Sequence, residues 1–196
     1  MITSRRPVLL SAGLAAAAVL PAIAFAHPGS LADHVGQPHG FIDGFVHPFT
    51  GLDHLAAMLA VGVWSASASR RMWTAPLAFV ACLLVGALAT ASGLAVPAAE
   101  PMIALSLLAF GLLLAQRAHL RPTAAAAVVG GFALFHGASH GVELGAGAAL
   151  AGMVLATATL HAGGIAIGLA LRRRDAAWTR GAGIALALFG VSLLAA

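Results

Sequence analysis

Two short motifs place ionisable residues at the ends of strongly apolar runs. The first is His47-Pro48-Phe49-Thr50-Gly51-Leu52-Asp53-His54, a turn carrying His47 that leads into an apolar helix with Asp53 and His54 at its start. The second is Phe135-His136-Gly137-Ala138-Ser139-His140-Gly141-Val142-Glu143. Spacings of four and three put His136, His140 and Glu143 on one helix face. Imidazoles and carboxylates in such surroundings are costly without a partner, and at membrane depth they mark function. Neutral imidazole suits Zn, Cu, Ni and Fe, while carboxylates supply compensating charge. Asp53 and Glu143 would balance a dication, and His47, His54, His136 and His140 would complete its shell. The chemistry read from these residues is a binding site or pathway for a divalent metal ion.

Further candidates lie along the chain. His161 sits deeper in an apolar run with Thr157 and Thr159 nearby. It is either a buried imidazole bonded to a carbonyl or threonine, or a later station for an ion moving inward. Glu100 starts a helix beside Pro101, where a carboxylate caps the helix dipole or joins the metal route. If the leader is cleaved after Ala26, His27 becomes an N-terminal chelator through its amine and ring. Met58, one turn from His54, reads as core, and His119 as a loop residue beside Arg117 and Arg121. The single Cys82 excludes an intrachain disulfide and a thiolate metal cluster.

The elements that must hold these residues are transmembrane helices. Of 196 residues 61% are hydrophobic and only 8% charged, against about a quarter charged in soluble domains. The expected class is all-α, a polytopic membrane helix bundle. Residues 1–26 read as a signal peptide: Arg5 and Arg6, an apolar run, then Ala24-Phe25-Ala26. Residues 27–46 form a polar, histidine-bearing periplasmic segment with a short helix near Phe41–Val46. Residues 47–196 form the permease domain. Its six expected spans are Leu52–Ser69, Thr74–Leu94, Ala98–Gln116, Thr123–Gly141, Gly145–Leu171 and Ala176–Ala195, each near the ~20 residues needed to cross.

Charge fixes the expected orientation. Arg70, Arg71, Arg117, Arg121, Arg172, Arg173, Arg174 and Arg180 all fall in or beside alternate connections. The other connections have only Glu100 and Glu143 nearby. The positive-inside rule then places both termini in the periplasm, in a bacterial inner membrane. The basic pI reflects this placement, so nucleic acid is excluded as a partner. No phosphate-binding loop is present, which excludes ATP hydrolysis. Glycines such as Gly137-x-x-x-Gly141 and Gly164-x-x-x-Gly168 read as helix-packing positions.

At these motifs the chain resembles the HupE/UreJ family of bacterial nickel permeases. The matching residues are His47-Pro48-Phe49-x-Gly51-x-Asp53-His54-x-x-Ala57-Met58-x-x-Val61-Gly62 and Phe135-His136-Gly137-x-x-His140-Gly141-x-Glu143. Glu100-Pro101-x-Ile103-Ala104-x-Ser106 and Thr159-Leu160-His161-x-x-Gly164 add to them. The resemblance implies a six-span permease tied to nickel supply for hydrogenase or urease. It also implies that His47, Asp53, His54, Glu100, His140 and Glu143 matter for transport.

The expected function is therefore secondary uptake of a divalent metal ion, not enzyme catalysis. Ni²⁺ is the expected cargo, with Co²⁺ or another divalent metal open, and no prosthetic group is expected. The partners are the ion and the lipid bilayer, with a homo-oligomer open. The rivals are an intramembrane zinc hydrolase using the same cluster and a bis-histidine haem protein.

Overall fold

The computed structural model describes residues 40–68 and 71–196. The expected signal peptide, most of the periplasmic segment with His27, and Arg70 lie outside the described residues. Among the described residues seven helices follow one another: α1 Phe41–Thr50, α2 Leu52–Ala68, α3 Thr74–Ala91, α4 Ala99–Ala115, α5 Pro122–Leu144, α6 Ala148–Leu171 and α7 Ala176–Leu194. Four of them, α3, α5, α6 and α7, are long and apolar enough to cross a membrane. The pair α1 and α2, bent by 84° at Gly51, makes a fifth if it is one broken span. α4 is apolar but only 17 residues long, which at 1.5 Å per residue is about 25 Å.

Of the turn expected over Pro48 and Gly51, the Pro48 part is helix and the Gly51 part is the bend. α1 runs through His47 and Pro48 and stops at Thr50. Proline lacks an N–H, so α1 forgoes the bond that residue 48 would donate to the Gly44 carbonyl, and the helix stops two residues later. The break falls at Gly51, which is extended at φ −88° and ψ 112°. Its carbonyl accepts from Leu55 N–H at 2.9 Å to start α2. At the other end of α1 the Asp43 carboxylate accepts from Gly40 N–H at 2.7 Å.

Among the described residues the outside is apolar, and the largely apolar core encloses a set of buried polar side chains. Large apolar side chains such as Leu77, Val85, Leu112, Leu155, Ile167 and Leu188 are exposed. The buried polar set comprises Asp53, His54, Ser65, Ser106, His136, His140, Thr157, His161 and Thr179. A helix surface of that kind faces lipid, and the protein is a multi-pass membrane protein.

Glycine sets the helix pairing. α3 packs on α5, α4 on α7, and both α1 and α2 on α6. A side chain at Gly86, Gly137 or Gly141 would run into the backbone of the facing helix across the α3–α5 contact. Gly111, Gly183 and Gly190 do the same for α4–α7, and Gly62, Gly164 and Gly168 for α2–α6. Lipid tails give helices no hydrophobic reason to associate, so close backbone approach must supply the attraction. Gly131, by contrast, faces open space.

Gly137→Val therefore forces α5 away from Leu83, and the cost of such overpacking is about 1–3 kcal/mol or more. Gly131→Ala leaves stability unchanged within about 1 kcal/mol. Thermal unfolding of both variants in detergent, followed by size-exclusion, separates the two outcomes.

Candidate metal site

α5 rises from the arginine-bearing end of the bundle and carries His136, His140 and Glu143 in its last turns. α1 descends toward the same place and delivers His47 from its final turn. The two meet at a half-buried mouth. His47 Nε2 lies 3.0 Å from Glu143 Oε2, and His140 Nδ1 lies 4.0 Å from the same oxygen. One ligand atom from each of His47, His140 and Glu143 can be chosen so that all three lie within 4.8 Å of one another. That spacing allows two imidazoles and one carboxylate to converge on a single ion.

Below the mouth the rings form a descending series. His54 on α2 sits 4.3 Å, centroid to centroid, from His140 and 4.9 Å from His136. Phe79 on α3 comes next, 5.3 Å from His136 and 4.9 Å from His161 on α6. His136, His140 and His161 are at most 2% exposed. Glu143 to His136 is seven residues, about 10 Å along the helix. His161 lies near the middle of α6.

Each of three buried imidazoles is pinned at one nitrogen and bare at the other. His54 Nδ1–H donates to Asp53 Oδ1 at 3.0 Å, and Asp53 is anchored by His54 N–H at 2.8 Å. His161 Nδ1–H donates to the Met58 carbonyl at 2.8 Å. The Ser106 hydroxyl proton is taken by the Ile103 carbonyl at 2.6 Å. Ser106 Oγ therefore accepts from His136 Nε2–H, 2.9 Å away. These bonds fix the tautomers. They leave lone pairs on His54 Nε2, His136 Nδ1 and His161 Nε2, all buried without a hydrogen-bond partner. An orphaned buried acceptor costs about 1–3 kcal/mol. Three such acceptors in neighbouring rings suit a ligand that takes nitrogen lone pairs, and a metal ion is such a ligand.

The candidate residues are thus distributed as follows. His47, His140 and Glu143 meet at the mouth, and His54 and His136 lie beneath it. Asp53 bonds His54, the arrangement by which a carboxylate orients a ligating histidine. His161 combines both of its alternatives, being bonded to a carbonyl while keeping one free nitrogen. Glu100 lies exposed in the first turn of α4, outside this cluster. Ser106 and Phe79 were not expected as site residues. A hydroxyl within the apolar run of α4 was a readable signal for the first. Nothing in the sequence separates Phe79 from other core aromatics.

The family model described as "HupE / UreJ protein" matches residues 14–193. Among curated proteins, "Protein HupE" of Rhizobium leguminosarum bv. viciae is 42% identical over 187 residues, covering 91% of this chain and 94% of that protein. No solved structure gives a significant match.

Ser106→Ala removes the acceptor of His136 Nε2–H and lowers stability by about 1–3 kcal/mol. Ser106→Thr retains the hydroxyl and recovers most of that loss. Thermal unfolding of the purified variants in detergent reads both.

Proposed function

The chain belongs to the HupE/UreJ family, and from that premise we propose that it is a secondary permease carrying Ni²⁺ from periplasm to cytoplasm. The observation that carries this reading is the convergence of His47, His140 and Glu143 above a ladder of imidazoles with bare nitrogens. A divalent ion leaving water must have its hydration shell replaced and its charge offset. The mouth offers Glu143 and two imidazoles while still half open to solvent. Asp53, one layer down, adds a second negative charge. The ion then passes to His54 Nε2, His136 Nδ1 and His161 Nε2 in turn.

Conduction needs sites weak enough to leave, and several in series serve better than one closed cage. The absence of thiolates from this set favours release. The membrane potential contributes about 2.3 kcal/mol per charge per 100 mV. The cargo would serve hydrogenase or urease maturation. Histidines in the outer segment would gather the ion before the mouth takes it up.

The topology proposed with it has six spans, α2 to α7, in the inner membrane. Both termini are periplasmic, and the arginine-bearing connections are cytoplasmic. α4 crosses despite its length because a slightly short helix is accommodated by local bilayer thinning at a fraction of a kcal/mol per Å.

In cells supplied with limiting Ni²⁺, Glu143→Gln and His140→Ala each reduce accumulation by about tenfold or more, with membrane levels of the protein unchanged. Accumulation equal to wild type in both removes the mouth from the pathway. Alkaline phosphatase fused after Ala196 is active and fused after His119 inactive. The reverse pattern inverts the topology.

A further inference from the structure

At the opposite end of the bundle lies a second, chemically distinct place. Where α2 ends and α3 and α5 begin there is a cavity of about 10 Å³, lined among others by Trp64, Ser65, Arg71, Thr74 and Pro122. That is room for one water-sized atom. Ser65 is 3% exposed, and its Oγ is buried without a hydrogen-bond partner. No carboxylate is among the described residues that line the cavity. Arg71, which does line it, is exposed at the surface.

The cavity walls are held in place. Trp64 Nε1–H donates to the Ala118 carbonyl at 2.9 Å, tying α2 to the loop between α4 and α5. That loop is shaped by Arg117, at φ 51°, and by Ala118 N–H donating to Leu113 O at 2.9 Å. Thr74 opens α3 and Pro122 opens α5, so two long helices point their N-termini at this corner. Each N-terminus carries a partial positive charge. The guanidinium of Arg71 adds a full one.

Arg71 and the two N-termini disfavour a cation, while the C-terminal carbonyls of α2, which ends at the same corner, offset part of the helix-dipole contribution. The Arg71 guanidinium and the buried Ser65 hydroxyl are the features that suit an anion. We propose that this corner is a binding site for a phosphate-type anion. One of its oxygens enters the cavity to accept from the Ser65 hydroxyl, and the remaining charge rests against Arg71. An anionic phospholipid headgroup and free inorganic phosphate share that chemistry. Basic pockets between transmembrane helices commonly take the former. This inference does not depend on which metal is carried, or on transport at all.

The test uses the purified full-length chain in detergent. Phosphatidylglycerol, phosphatidylcholine and inorganic phosphate are added separately, with bound lipid counted by native mass spectrometry and thermal unfolding followed in parallel. Phosphatidylglycerol is expected to be retained and to raise the unfolding temperature more than phosphatidylcholine does. Arg71→Gln and Ser65→Ala should each weaken that binding by about fivefold, while Arg71→Lys largely preserves it. A Ser65-dependent shift with phosphate alone supports the site and assigns it to the free anion. A shift with phosphatidylglycerol only assigns it to the headgroup. Equal behaviour of the two lipids without any phosphate effect would overturn the proposal. So would an anion effect indifferent to both Ser65→Ala and Arg71→Gln, leaving only a trapped water. Arg71→Gln alters an exposed side chain, so it keeps the test decisive even if Ser65→Ala folds poorly.

Discussion

A buried imidazole needs a partner for each ring nitrogen, and in this bundle the protein supplies only one to each of His54, His136 and His161. The partners come from different sources: the neighbouring Asp53 carboxylate, the Ser106 hydroxyl on α4 and the Met58 carbonyl on α2. That diversity matters because each bond fixes a tautomer. A ring pinned at one nitrogen must present its lone pair at the other. The row of acceptors is therefore a consequence of specific bonds to α2 and α4, and it cannot be had from histidines merely scattered in an apolar core.

Holding those bonds requires the helices to be rotated correctly, and the glycines do this. On α5, Gly137 and Gly141 each follow a histidine by one residue, a rotation of about 100° around the helix. Because the glycine stripe is pressed against α3, the histidine stripe turns toward His54 on α2. On α6 the relation differs. His161, Gly164 and Gly168 share one face, and that face meets α2 at Gly62. The same close approach that joins the two helices brings His161 Nδ1 to the Met58 carbonyl. Packing and site geometry are therefore one constraint.

The α5 stripe of His136, His140 and Glu143 could be read from the sequence because period and polarity coincide there. The pairing of α5 with α2 residues was also legible, since Asp53 and His54 open an apolar run at the same end of the bundle. The bend was legible at Gly51, but the expected turn also took in His47 and Pro48, which lie in the last turn of α1, because a proline reads as a break in sequence. Ser106 stood in a resemblance motif, but its bond to His136 was not legible, because a lone serine in an apolar run usually bonds its own helix backbone. Ser106 does that through its proton while also accepting from His136 across the interface. α4, expected over Ala98–Gln116, runs over Ala99–Ala115, one residue shorter at each end, because hydropathy reports a segment's apolar extent and not where its hydrogen bonding stops.

The two ends of the bundle differ in sign, and that difference bears on direction. The end holding Glu143, Asp53 and the imidazoles is favourable to a dication. The other end gathers the arginines. On the proposed route the carboxylates come first, so an ion moving inward would pass from a charge-compensated mouth to neutral nitrogens and rise in electrostatic energy. In the proposed orientation the membrane potential opposes that rise by about 4.6 kcal/mol per 100 mV for a doubly charged ion crossing fully. A bare carboxylate at His161 would deepen the well there and hold the ion, whereas an imidazole pinned to a backbone carbonyl binds it less firmly. Under the proposed permease reading, passage on those terms requires that no station along the way be too strong, and acids at the mouth with imidazoles inside fit that requirement.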